Sequence, residues 1–229
     1  MDENEIVPVS KEAHFHFRCG PEVSCFNACC RNLNQYLSPY DILRLKKNLA
    51  VSSSVFLASY THRHVGPRSG LPVVTLRPES TSELKCPFVS SKGCLVYEDR
   101  PASCRMYPVM RMAGRDRETG KIREEYMLMH EPHCRGFAAD RKITVSRWME
   151  EQGLHPYNAS NDAFLKILGV KQNAYPGMLP KDLSDRIYTV LYDSDRFLQT
   201  KEGQAFEDGE AYLPAAYEYV IGYLQQYEK

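Results

Sequence analysis

The sequence predicts an α+β protein: a small cysteine-rich core with short strands and loops, followed by a mainly helical C-terminal part. Three observations lead there. All eight cysteines fall between Cys19 and Cys134, and none follows. Short alternating or β-branched runs, the mark of strands, occur only in that same region. Beyond it, apolar residues recur at helical spacing.

Taken in order, residues 1–13 read as a polar tail, and 14–18 (HFHFR) alternate as a short strand does. Cys19-Gly20-Pro21 signals a turn, and 24–32 suit a helical turn carrying Cys25, Cys29 and Cys30. Ser38-Pro39-Tyr40-Asp41 is a helix start: a capping hydroxyl, a proline at the first position and an acid at the positive end. Ile42, Leu45 and Leu49 continue that helix, and a second one follows Ser53 with Val55, Phe56 and Leu57. Residues 62–70 read as a loop and 71–76 as a strand with proline near its start. Residues 85–103 are turn-rich, 111–121 form a charged hairpin loop, and 123–130 form a strand. Helices are expected over 145–152, 161–168, 183–200 and 213–229. Tyr212, Tyr217, Tyr219, Tyr223 and Tyr227 give the last of these a packing face whose hydroxyls reach water. Two units follow from this division, a cysteine-cluster metal-binding domain over 14–140 and a helical extension over 141–229 packed on it.

Composition narrows the function. The chain has 229 residues, 43% hydrophobic and 25% charged, an ordinary globular balance. Its 29 basic and 29 acidic residues cancel, which gives no general attraction to nucleic acid or to an anionic membrane. The N-terminal MDENEIVPVSKE is acidic and lacks the apolar stretch of a secretory signal. No run approaches the roughly 18–20 apolar residues of a membrane span. A cytoplasmic setting is therefore expected, where thiols stay reduced and clustered cysteines bind metal rather than form bridges.

The candidate ligands are Cys19, Cys25, Cys29, Cys30, Cys86, Cys94, Cys104 and Cys134. Four thiolates fill an iron–sulfur or a zinc site, so eight fill one with spares, or two. On a helix Cys25 and Cys29 would share a face, with Cys30 about 100° round and free to serve another metal. Pro87 holds Cys86 extended, Gly93 permits a turn before Cys94, and Pro101 starts a helix that projects Cys104. No pair has the C-x-x-C spacing common in zinc sites and thioredoxin-type redox pairs, which favours an iron–sulfur cluster over zinc.

Around the thiols, Arg100 and Arg105 flank Cys104 and would hydrogen-bond cluster sulfur or bind an anion. Their plainer role, which takes precedence, is a salt bridge to Glu98, Asp99 or Glu131. Tyr97 and Tyr107 would cover the site and exclude water, and His133 would support Cys134. His14, His16, His62 and His64 are poorer ligand candidates with so many thiols at hand. There is no G-x-G, no P-loop, no H-E-x-x-H and no G-x-S-x-G, so no familiar enzyme signature is visible.

These motifs carry a resemblance. C-x₅-C-x₃-C-C (Cys19 to Cys30), C-P-F (Cys86 to Phe88), G-C-x-V-Y-x-x-R-P-x-x-C-R-x-Y-P (Gly93 to Pro108) and E-P-H-C-x-G-F (Glu131 to Phe137) are similar to the bacterial CxxCxxCC cysteine-cluster family, often called YkgJ-like. The resemblance covers about residues 15–140, departing where Gly20 to Ser24 widen the first cysteine pair. It implies a zinc- or iron-chelating protein, some members holding iron–sulfur clusters. Flagellin lysine N-methylases are related, which would imply an S-adenosylmethionine-dependent protein methyltransferase. The leading expectation is a metal-binding protein holding an iron–sulfur cluster of the 4Fe-4S kind, with ligands drawn from all four cysteine groups, for electron transfer or as the structural part of an enzyme. The alternatives are a structural zinc module and the methyltransferase. Any protein partner or substrate is unidentified.

Overall fold

The computed structural model describes residues 4–32, 34–79, 83–116 and 118–226. In chain order come β1 (Glu5–Val9), β2 (His14–His16), β3 (Tyr36–Leu37), α1 (Pro39–Asn48), α2 (Ser53–Tyr60), β4 (Thr61–Val65) and β5 (Pro72–Leu76). Then follow β6 (Val89–Ser90), β7 (Gly93–Cys94), α3 (Ala102–Met106), β8 (Val109–Arg115), β9 (Ile122–His130) and β10 (Lys142–Thr144). The rest is helical: α4 (Val145–Glu151), α5 (His155–Ala174), α6 (Lys181–Tyr192), α7 (Ser194–Leu198) and α8 (Tyr212–Gln225). This is the α+β arrangement that the sequence predicts. Tyr227 and the end of the last expected helix lie outside the described residues.

Two apolar cores organise these elements. The larger gathers Leu45, Phe56, Val74, Phe88 and Val96 from the first half with Ile187, Val190, Tyr212, Val220 and Leu224 from the helices. Each such fully buried side chain contributes roughly 1.5–3 kcal/mol. The smaller joins Phe15 and Phe17 to Val109, Tyr126, Leu128, Ile143, Val145 and Trp148. The strands form small antiparallel sheets ordered β1-β9-β8, β10-β2, β3-β5-β4 and β6-β7.

The start of α1 follows local rules. The Ser38 hydroxyl accepts from the Asp41 amide at 3.2 Å, and the Asp41 carboxylate accepts from the Ser38 amide at 2.8 Å. The same carboxylate accepts from the Ala102 amide at 2.8 Å, which ties α1 to the start of α3. Asp41 is buried, and burial pushes its carboxyl above the ordinary range.

Five expectations are corrected. Residues 5–9 of the supposed polar tail form β1, an edge strand paired from Glu5↔His130 to Val9↔Tyr126. Its side chains stay largely exposed, so backbone pairing rather than an apolar pattern holds it. Residues 62–65 of the supposed loop belong to β4, whose outward histidines and arginine hide the alternation. Residues 109–115 form β8, and the hairpin loop shrinks to the turn beyond it. There the Arg111 side chain, only 6% exposed, reaches Glu124 at 2.6 Å and Asp162 at 2.9 Å, pinning β8 to α5. The helix expected over 161–168 is the middle of α5. The one expected over 183–200 breaks at Asp193, whose carboxylate accepts from the Ser53 and Ser54 hydroxyls at 2.7 Å and so ties the break to the start of α2. The expected helical turn at 24–32 is corrected with the site below.

Glu124 gives this frame an acid limit. Burial opposes its ionisation, but hydrogen bonds from Lys11, Tyr126 and Arg111 overcome that and hold it down at about 2. A depressed carboxyl stabilises the fold above its unfolded value, and that contribution fades as pH falls toward the folded one. With solvent screening, Glu124→Gln is expected to lower stability by about 1–2 kcal/mol at pH 7. In urea titrations the two proteins should converge as pH drops from about 4 toward 2. A gap that is independent of pH would show that the charge is not what stabilises.

Candidate metal centre

Three loop segments and helix α3 bring the cysteines together, and each is held by identifiable bonds. The pairing of β2 with β10 runs on past the strand, Phe17 N–H to Arg141 C=O at 3.0 Å and Arg18 N–H to Gly136 C=O at 3.1 Å. These bonds set Cys19 beside the segment that carries Cys134. From Gly20 the chain coils through tight turns, Val23 to Gly20, Phe26 to Val23 and Ala28 to Cys25, into a short 3-10 turn at Ala28–Cys30. Here the helical-turn expectation fails. Asn27 has φ 66, a left-handed conformation that asparagine tolerates, so Cys25 and Cys29 do not share one helical face. The Asn27 side-chain amide donates to the Ser90 carbonyl at 2.9 Å, clipping this loop to the β6-β7 hairpin.

That hairpin brings two more thiols. The Cys86 amide donates to the Cys30 carbonyl at 2.8 Å, and Val89 pairs with Cys94. Gly93 has φ +114, a backbone conformation that favours glycine, and a Cβ there would press on the Phe26 ring at 3.0 Å. Cys104 comes from α3 and lies 3.5 Å from the Gln35 side-chain oxygen. The Cys134 amide closes a turn onto Glu131 at 2.9 Å, and the next amide, Arg135, donates to the Cys25 sulfur at 3.1 Å.

Electrostatics shows that these thiols form one neighbourhood. Burial, then the nearby Cys29, Cys25 and Cys134, push Cys19 up to about 11. Burial, then Cys86, Cys29 and Cys94, push Cys104 up to about 12. Cys86, Cys94 and Cys134 are also raised, burial being the main cause in each. A hydrogen bond from Cys30 holds Cys29 down at about 7, and the same bond, ahead of burial, drives Cys30 up. Crowded thiols resist ionising together, and a bound cation reverses that resistance. Cys19, Cys29 and Cys104 keep solvent access within this dense surrounding, so a metal can reach them.

The supporting residues divide. Arg105 is buried over the Tyr157 ring and donates to three backbone carbonyls, of Arg100, Gln152 and Glu98. It braces α3 through the Glu98 main chain. Arg100 lies over the Tyr97 ring, 3.8 Å from its centre, and donates to the Gln152 side chain at 2.5 Å. Its charge favours ionisation of Cys19 and Cys94. The Tyr107 hydroxyl is buried beside Cys134 and Glu131 without closing a hydrogen bond to either, and burial raises its pKa well above the ordinary range. His133 faces Glu131 at 3.6 Å. Sequence reasoning did not single out Asn27, Gln35 or the Arg135 amide. Only Asn27 carried a signal, its tolerance of positive φ.

Among the described residues, no three Cys, His, Asp or Glu side chains already stand in coordinating positions. The thiols are gathered, and a cation would draw them in as it binds. The donor set fits such a cation: soft sulfurs, a backbone amide on one of them, and beside another a buried hydroxyl without a hydrogen-bond partner. No helix in the described part is long and apolar enough to cross a membrane.

Comparison with known proteins agrees with this donor set. The sequence profile of the family CxxCxxCC, described as "Putative zinc- or iron-chelating domain", matches residues 18–135. No curated protein and no solved structure matches. The profile match spans more than half of the chain and encloses every cysteine, and on that ground the protein belongs to the CxxCxxCC family of zinc- or iron-chelating domains.

Proposed function

We propose that the chain binds an iron–sulfur cluster, of the four-iron kind, through its cysteine thiolates and serves in electron transfer with a protein partner. When bound, such a cluster supplies one-electron redox chemistry. The observation that carries this reading is the pair of donors aimed at sulfur, the Arg135 amide on Cys25 and the Tyr107 hydroxyl beside Cys134. Donors to sulfur stabilise the thiolate form and tune a cluster's potential. The missing C-x-x-C spacing supports iron–sulfur over zinc in the same direction. Arg100 adds a fixed positive charge near Cys19 and Cys94, which offsets the negative charge of thiolate ligands. The solvent access of Cys19, Cys29 and Cys104 leaves a side open to a redox partner.

Purified without oxygen, the protein is expected to be brown, with visible charge-transfer absorption and iron and sulfide in equal amounts. Electron paramagnetic resonance of the reduced protein then identifies the cluster. A colourless protein carrying zinc and no sulfide would overturn the reading and leave a structural zinc module.

A further inference from the structure

We infer that the eight thiols form two four-sulfur centres that meet at Cys29 and Cys30, one built around Cys19, Cys25 and Cys134 and the other around Cys30, Cys86 and Cys94, with Cys29 and Cys104 completing the two sets. The inference rests on the reading of the thiols as metal ligands and deepens it.

Two observations divide the set this way. Cys86 and Cys94 pack against the larger apolar core, whereas Cys134 packs against the smaller one. The ligands therefore hang from two separate frames. Second, backbone and side-chain bonds join each group within itself. The Arg135 amide meets the Cys25 sulfur, and Arg18 pairs with Gly136, which binds the Cys19, Cys25 and Cys134 segments together. The Cys86 amide meets the Cys30 carbonyl, and Val89 pairs with Cys94, which binds the other segments. Cys29 and Cys30, successive residues of one 3-10 turn, stand between the two groups.

Four thiolates complete a tetrahedral zinc site or a cubane cluster, so eight leave no thiol spare.

Native mass spectrometry of the full chain, purified without oxygen, tests the division by counting metal and sulfide. The unmodified protein is expected to hold two centres per chain. Cys134→Ser and Cys94→Ser should each lose about half of the metal, and the double variant should lose all of it. The half retained by each single variant also reports that it folds. Cys25→Ala and Cys86→Ala repeat the comparison at other positions. One centre per chain in the unmodified protein, or total loss in both members of either pair, would overturn the inference. The same spectra identify the metal, so zinc without sulfide removes the cluster reading while the count of centres still decides this one.

Discussion

Chelation of the bound metal is expected to release residues 19–32 and 131–138 from protection while the helices around the larger core stay folded. The first segment is almost free of regular structure, with one three-residue 3-10 turn and no buried residue in it. It is held by short-range turns, by Asn27 on Ser90, by Arg31 and Asn32 on Glu83, by Cys30 on Cys86 and by Cys25 on Arg135. Each such bond contributes about 0.5–1.5 kcal/mol net, and ordering a residue's backbone costs about 1–2 kcal/mol. Those bonds alone do not order a loop of that length. Thiolate–metal bonds can, since structural metal binding reaches about 10–16 kcal/mol and appears directly as folding energy. By contrast, α6 and α8 bury Ile187, Val190, Tyr212 and Val220 almost completely and need no metal. Amide hydrogen exchange before and after chelation measures the difference. Amides in 19–32 should gain exchange by at least a hundredfold, and those of α6 and α8 should change little. Unchanged protection in the cysteine loops would mean that they are ordered by packing alone.

What was legible in the sequence, and what was not, divides by range. The start of α1 was visible because its rule is local: Ser38, Pro39 and Asp41 each act within one turn. The helical stripes were visible because large buried side chains recur along α6 and α8. Strand β1 was not, because an exposed edge strand is held through its backbone and leaves no apolar signature. The break between α6 and α7 was hidden too, since Asp193 looks like one polar residue in a helix until Ser53 and Ser54 meet it. The cysteines behave in the same way. Their number and motif spacing marked them as candidate ligands. Their grouping depends on Asn27 turning left-handed and on loops that pack on different cores, and no periodicity encodes either.

Gly136→Ala is expected to lower stability by about 3 kcal/mol, or roughly 6–12 °C in melting temperature, and to strip metal from the thiols of the smaller core. Backbone freedom is not the reason, because Gly136 has no positive φ. The reason is space. A Cβ there would lie 2.5 Å from the Phe17 ring and 2.7 Å from the Arg18 carbonyl. Neither neighbour can yield. Phe17 is 1% exposed and packed edge-on against Tyr107, Phe137 and Trp148. Arg18 is fixed by its own amide on the Gly136 carbonyl at 3.1 Å. Relief requires the 134–136 segment to move off the end of β2, and that motion carries Cys134 and the Arg135 amide away from Cys19 and Cys25. The effect is therefore larger than overpacking alone. Gly222→Ala is the control. Gly222 lies within α8 with open space at its Cβ, so alanine there should stabilise by about 0.5–1 kcal/mol and leave metal content unchanged. Thermal melting and metal analysis of the two variants side by side decide the matter. A Gly136→Ala protein that melts like the parent with its metal intact would mean that the segment bearing Cys134 is free to shift, and that the junction of β2 with the cysteine loops does not set the site.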